Sequence, residues 1–392
     1  MKTLRVRLLF PVTQPSIENG KLVVDDSGRI IFIGKWDGKR EGELITWDGM
    51  ALPGLINTHV HLELGHLKDK IPKGEGVTSW VKRLQYERAM LNNEDTKRGI
   101  IEGIEKIKED GVIAIGEVGN SFSSLQYLKN TPFRVVYFYE ILGFIPDAAE
   151  EILDTSLNKI KHYQSLYPEV KFNLAPHALY STSERLIKLI FSRKEFKVTS
   201  IHIAEGKEET QFLLTGNGPW KAYLEEIGKW PPDWKFPGIS PVLYFKTIFT
   251  SKRTVLVHLC NISQYEIAWL KEKENIVACI CPRSNLYITD KLSPIDKLFK
   301  GGMKISLGTD SLASNRNLSI RLEMKEVKRH FPSIPCEEII RMATINGALS
   351  LGMEDELGSF EVGKRPGIIL SETYNPEEFV MNEDKVCVKM TE

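Results

Sequence analysis

Eight histidines are spread through the 392 residues, and five of them stand where short apolar runs end. His59 and His61 fall in LPGLINTHVHLE, His177 in PHALYSTS, His202 in SIHIAEG and His258 in VLVHLC. A carboxylate, Asp310, closes another such run in SLGTD. Imidazole is the commonest transition-metal ligand, and imidazoles with one carboxylate suit zinc or iron(II). On an extended strand, residues two apart point to the same side, so His59 and His61 can reach one ion. His59, His61, His202 and Asp310 are therefore the candidate shell for one divalent metal, zinc first and iron(II) as the alternative. Such an ion lowers the pKa of a bound water towards ~7 and generates hydroxide at neutral pH. Asp310 is placed to receive the water's proton; the other reading makes it a cap for the Ser311–Asn315 turn.

Glu205 follows His202 by three residues. A carboxyl there can protonate a ring nitrogen and then carry a proton to a leaving group; the plainer reading is a solvated or supporting loop residue. His258 can orient hydroxide and stabilise a tetrahedral intermediate, or it can be a further metal ligand. His177 is placed to donate a hydrogen bond to a substrate. Glu140, in YFYEILG, is either a bridging carboxylate for a second metal or a supporting group. The second reading is preferred, because no Lys stands at the end of the fourth run. His66, His162 and His330 read as solvated, and Cys279 and Cys281 as wall residues of a strand.

Eight apolar runs carry these groups: Leu52–Thr58, Val112–Val118, Arg134–Leu142, Phe172–Pro176, Val198–Ala204, Thr254–Leu259, Ile276–Cys281 and Lys304–Gly308. Amphipathic stretches such as Val77–Leu91, Thr96–Lys108 and Glu150–Tyr163 lie between them, which predicts βα units around a parallel sheet. Eight units predict a (β/α)8 barrel over residues 51–354, with its reacting groups at the C-terminal strand ends. Leu318–His330 and Cys336–Leu351 read as further helices. Residues 1–50 alternate like short strands, and the tail from Gly358 does so again. Together, residues 1–50 and 355–392 predict a small β-sandwich domain built from both termini. The segment 206–244 is long for a βα connection and carries Trp220, Trp230, Trp234, Phe236 and Tyr244, which either shape a pocket or only pack the insertion.

Lys and Arg number 52, and so do Asp and Glu, for a formal net charge of zero. A chain that mainly grips nucleic acid or an anionic membrane would carry a basic excess. The five Cys form no CxxC pair, which suits reduced, mostly buried thiols. Arg5 and Arg7 interrupt the only apolar stretch that could resemble a signal peptide. No uncharged apolar window approaches the length of a membrane span. The expectation is a cytoplasmic protein with a small-molecule substrate; a homodimer is compatible with it.

The segments LPGLINTHVHLE, PHALYSTS, SIHIAEGKEE, VLVHLC, CPRSNLYI, SLGTDSLASN and ATINGALSLG…LGSFEVGK, in this order over about residues 45 to 365, resemble the amidohydrolase superfamily. Within it the chain is similar to the branch of chlorohydrolases and adenosine-type deaminases, which includes S-adenosylhomocysteine/methylthioadenosine and aminodeoxyfutalosine deaminases. The resemblance implies one metal, usually zinc, on His59, His61, His202 and Asp310, with Glu205 as proton shuttle and His258 near the hydroxide. It places His177 at the base, Ser311 close to the site, Glu87 of SWVKRLQYER at the ribose, and Arg283, Ser284 and Asn285 along the pocket. The tail GKRPGIIL departs from the family's usual Gly-Lys-Ala-Asp, and HLELGHL resembles the aminodeoxyfutalosine type more than the S-adenosylhomocysteine deaminases. The expected reaction is hydrolytic deamination of a 6-aminopurine nucleoside: metal hydroxide attacks C6, Glu205 protonates the ring, and ammonia leaves. The alternatives are a chlorohydrolase or cyclic-amide hydrolase on the same site, or a non-catalytic metal-binding barrel that has no need of Glu205.

Overall fold

Parallel strands covered by helices are buried on both faces, and so read as unbroken apolar runs rather than alternating ones. In the computed structural model, which describes residues 1–90, 92–382 and 386–387, all eight runs form strands of this kind. Four strands at the start of the chain precede them: β1 Lys2–Leu9, β2 Ile17–Val24, β3 Ile30–Lys35 and β4 Glu43–Leu52. The central eight are β5 Leu55–Val60, β6 Val112–Gly119, β7 Arg134–Ile141, β8 Lys171–Pro176, β9 Val198–Ile203, β10 Arg253–His258, β11 Ile276–Ile280 and β12 Ile305–Leu307. Near the end of the chain come β13 Ile369–Ser371 and β14 Val386–Cys387.

The central strands pair in two four-stranded parallel sheets, β5-β6-β7-β8 and β9-β10-β11-β12. No continuous ladder joins the two arcs among the described residues. Single parallel bridges stand at the two seams instead, Val60 with Asp310 and Ala178 with His202. At one seam the amides of Thr309 and Asp310 donate to His59 O (3.0 and 3.1 Å); at the other His202 N donates to His177 O (2.9 Å). Side chains from both arcs, among them Ile56, Val136, Phe138, Val255, Val257 and Cys279, pack into one buried cluster. Cys281 belongs to the same cluster, in keeping with a wall position.

The chain passes from β4, in the sheet of terminal strands, to β5 at Pro53-Gly54. The apolar run read as Leu52–Thr58 is thus divided, with Leu52 ending β4 and Leu55 opening β5. Gly54 permits this crossing, because a Cβ there would meet Ile113 Cγ2 at 2.5 Å. Cys336–Leu351 also divides, into helices Cys336–Met342 and Ile345–Leu351, with Thr344 (φ −129°, ψ −95°) outside helical geometry between them.

Both termini share one six-stranded sheet in the order β14-β13-β4-β1-β2-β3. Ile369, Leu370 and Ser371 lie opposite Leu52, Ala51 and Met50. The second layer of the expected sandwich is absent among the described residues, and the tail forms the helix Pro376–Met381 besides its two short strands. The 206–244 insertion is not a plain loop. It holds helices Lys207–Thr215 and Pro219–Glu226 and leads into Pro241–Ile248. Trp230 and Trp234 of the insertion pack around Phe212 and Phe144.

No helix among the described residues is long and apolar enough to cross a membrane. Cys260, Cys279, Cys281 and Cys336 are buried and unpaired, while the Cys387 side chain lies outside the described residues. His66 departs from its solvated reading. It is half-buried, and burial lowers its pKa.

Candidate active site

His59 is the penultimate residue of β5, His61 stands just past its end, and His202 is on β9 in the other arc. Their Nε2 atoms converge: His61 lies 3.1 Å and His202 3.2 Å from His59. His202 Nδ1 donates to His177 O at 2.9 Å, which leaves the Nε2 lone pair free for a ligand. Burial first, and the neighbouring imidazoles second, push His59 well below its ordinary pKa and His202 down to about 3. These rings are therefore neutral, the form that binds metals. The three nitrogens lie within 4.8 Å of one another and fit one divalent ion.

Asp310 faces this triad, with Oδ1 3.7 Å from His61 Nε2 and 3.9 Å from His59 Nε2. Its Oδ2 accepts from Ser284 Oγ (2.6 Å) and Ser314 Oγ (2.8 Å). Burial alone would raise this carboxyl, but His61, His258 and the two hydroxyls hold it below its usual value. The residue adopts φ 57°, and His258 at the end of β10 adopts φ 80°. Left-handed non-glycine residues at two strand ends mark a backbone bent to aim side chains. Gly308 makes room beside them, since a Cβ there would sit 2.8 Å from His59 Cβ and 3.0 Å from Cys279 Sγ.

Glu205 lies just past β9, fully buried, with Oε1 3.6 Å from His258 Nε2. Burial, followed by the carboxylates of Asp310, Glu209 and Glu208, raises its pKa well above the ordinary value, which favours the protonated form. Asn285 Nδ2 donates to His258 Nδ1 at 2.9 Å, leaving the proton of that ring on Nε2. Burial pushes His258 down to about 4. His177 lines the cavity with Nδ1 2.6 Å from Ser181 Oγ. Glu140 Oε1 sits behind, 3.7 Å from His202 Nδ1 and 3.9 Å from His177 Nε2, buried without a hydrogen-bond partner.

The helix Val77–Ala89 closes the cavity with Trp80, Val81, Leu84, Gln85 and Arg88. Glu87 does not line it. Its carboxylate turns to Arg83 at 2.8 Å. Arg283 also points elsewhere, its guanidinium donating to Asn317 O at 3.3 Å and its amide to Glu323 at 3.0 Å. Ser311 is buried behind Asp310 beside Ser314, at 3.4 Å, and does not face the cavity. Sequence reading missed the roles of Ser314, Arg88 and Glu63. Glu63 accepts from the amides of Asn120 and Ser121 and ion-pairs with Arg88 at 3.4 Å. The spacing Trp80, Leu84, Arg88 was the available signal, because residues four apart share a helix face.

The Amidohydrolase family matches residues 50–391. The chain is 29% identical over 409 aligned positions to a 5-methylthioadenosine/S-adenosylhomocysteine deaminase of Thermodesulfovibrio yellowstonii, covering 96% of this chain and 86% of the relative. The structure is similar to Helicobacter pylori aminofutalosine deaminase in complex with methylthio-coformycin. The TM-score is 0.85 and the identity 22%, with 98% and 97% of the two chains covered. It is also similar to an adenosine deaminase from Xanthomonas campestris with bound zinc, with TM-score 0.77, 17% identity and 99% and 91% covered. Members of the matching family use a divalent metal, for which the imidazole triad is the fitting site. The chain belongs to the amidohydrolase family and is a hydrolytic enzyme acting on carbon–nitrogen bonds.

Proposed function

We propose that this protein is a metal-dependent hydrolytic deaminase of 6-aminopurine nucleosides, of the aminodeoxyfutalosine, S-adenosylhomocysteine, methylthioadenosine or adenosine type. The observation that carries the reading is Glu205. It is a buried carboxyl whose pKa burial pushes well above the ordinary value, and it opens on the same cavity as His61, His202 and Asp310 and lies 3.6 Å from His258. Deamination needs such a group, because the ring nitrogen beside C6 must gain a proton as water adds. The names of relatives such as 5-methylthioadenosine/S-adenosylhomocysteine deaminase, 5'-deoxyadenosine deaminase and aminodeoxyfutalosine deaminase point the same way.

A divalent ion on His59, His61, His202 and Asp310, zinc or else iron(II), supplies acidified water and charge stabilisation when bound. Asp310 Oδ1, held by two serine hydroxyls through its other oxygen, takes the proton that water gives up. Glu205 donates its proton to the ring nitrogen as oxygen bonds to C6, takes the proton of the new C6 hydroxyl and passes it to the amine, which leaves as ammonia as the ring carbonyl forms; the proton held by Asp310 then restores the Glu205 carboxyl. His258 Nε2–H, fixed by Asn285, donates to the incoming oxygen as charge develops there. His177 contacts the base from the cavity wall.

The reading takes the two parallel arcs as halves of one (β/α)8 barrel, supported by the interior cluster they share, with the active groups at its C-terminal mouth. It also takes the protein as cytoplasmic, with a small-molecule substrate. The test loads purified protein with zinc or iron(II) and follows ammonia from adenosine, methylthioadenosine, S-adenosylhomocysteine and aminodeoxyfutalosine, with chloride release from a chlorotriazine and ring opening of a cyclic amide as controls. Ammonia from at least one nucleoside is expected. Turnover of the controls alone would overturn the reading.

A further inference from the structure

Beside the cavity over the imidazoles, of about 100 Å³, lies a larger one of about 400 Å³. Val81, Gln85, Leu142, His177 and Tyr180 line both, so the two spaces adjoin at His177. Phe144 and Ile152, from the segment after β7, form one wall of the larger space. The 206–244 insertion forms another, with Trp220, Tyr223, Leu224 and Ile227. Trp220 is 2% exposed and stacks on Tyr180 at 3.8 Å between ring centroids, so this wall is rigid and aromatic. Among the described residues lining the space, Lys229 carries the only fixed charge, and it stands exposed at the edge. No carboxylate lines it.

A nucleoside whose amine reaches the imidazole triad must direct its far end away from the metal site, and the larger cavity is the adjoining space of fitting size. An apolar wall gains from burying alkyl, thioether or aryl groups. It penalises an ammonium, which would lose its hydration and find no partner. On the deaminase reading, we propose that this second cavity receives the 5′-substituent of the substrate and selects uncharged apolar or aromatic substituents over those ending in an α-amino acid. The insertion is then the specificity element of the enzyme, contributing the wall that an amino-acid tail cannot satisfy.

The test compares kcat/KM, by ammonia release from the metal-loaded enzyme, for adenosine, 5′-methylthioadenosine, 5′-phenylthio-5′-deoxyadenosine and S-adenosylhomocysteine. The two apolar thioethers should exceed both adenosine and S-adenosylhomocysteine by at least about tenfold, the scale on which an apolar pocket distinguishes such groups. Ile227 is 45% exposed, so Ile227→Asp leaves the core intact while placing a carboxylate on the cavity wall. That substitution should reduce the preference for phenylthio over S-adenosylhomocysteine by about tenfold or more. S-adenosylhomocysteine turned over as efficiently as the thioethers, or a preference unchanged by Ile227→Asp, overturns this inference and leaves the deaminase reading standing. No ammonia from any of the four overturns this inference, and no ammonia from aminodeoxyfutalosine either overturns the deaminase reading with it.

Discussion

Asn285 reaches across from the helix Pro282–Ile288 to His258, with its Nδ2 2.9 Å from the Nδ1 of that ring, while the opposite ring nitrogen lies 3.6 Å from Glu205. One amide thus fixes both the tautomer and the tilt of an imidazole that ends β10 in a left-handed conformation. The side chain touches neither the cavity nor the metal triad, so its contribution passes through His258.

Asn285→Ala should therefore lower kcat by roughly 10–100-fold, the usual cost of losing a group that orients a site residue. Metal content should stay at the wild-type value. Steady-state kinetics with elemental analysis on the same sample checks both. Full activity, or loss of the metal, would contradict the assigned role.

Gly308 is packed against His59 so closely that a methyl group has no space, with His59 Cβ 2.8 Å and His59 O 2.9 Å from a Cβ built there. Gly308→Ala should displace the first ligand strand and destabilise the chain by about 1–3 kcal/mol, the common cost of overpacking. Metal affinity should fall with it. Denaturant unfolding and metal titration measure the two effects, and wild-type values for both would show that the seam yields freely.

Asp110 accepts from Ser319 Oγ (2.7 Å) and from the amide of Arg321 (3.0 Å), tying down the start of helix Ile320–His330. Burial raises its pKa from 3.8 to about 6 in spite of these hydrogen bonds. The folded chain then holds this proton more tightly than the unfolded chain. Its contribution is greatest below pH 4, declines as pH rises to about 6 and is constant above that. Relative to Asp110→Asn, the wild type should lose on the order of 1–3 kcal/mol between pH 4 and pH 7. Unfolding free energies of both proteins across that range decide it, and a difference independent of pH would contradict the assignment.

That His59 and His61 face one point follows from the two-residue period of a strand, and the apolar runs before His202 and Asp310 carry them to the same end. These features are local in sequence and therefore legible there. The phase of a helix is not. Each residue turns the chain by about 100°, so Arg88 enters the cavity whereas Glu87, one position earlier, pairs with Arg83. The same difficulty arises after β11, where Arg283 points to Asn317 and the next residue, Ser284, reaches Asp310. The aromatic content of the insertion was visible, but its place beside the site depends on contacts with Phe144 and Tyr180, which are remote in sequence.

The most direct test of Glu205 as the proton carrier measures ammonia release and metal content side by side for the wild type and Glu205→Gln. The account predicts that the wild type deaminates an adenosine-type nucleoside. It predicts that the variant keeps its metal but loses on the order of 10²–10⁴ in kcat, the range supplied by a positioned acid–base group. A variant that keeps both its metal and the wild-type rate would contradict it.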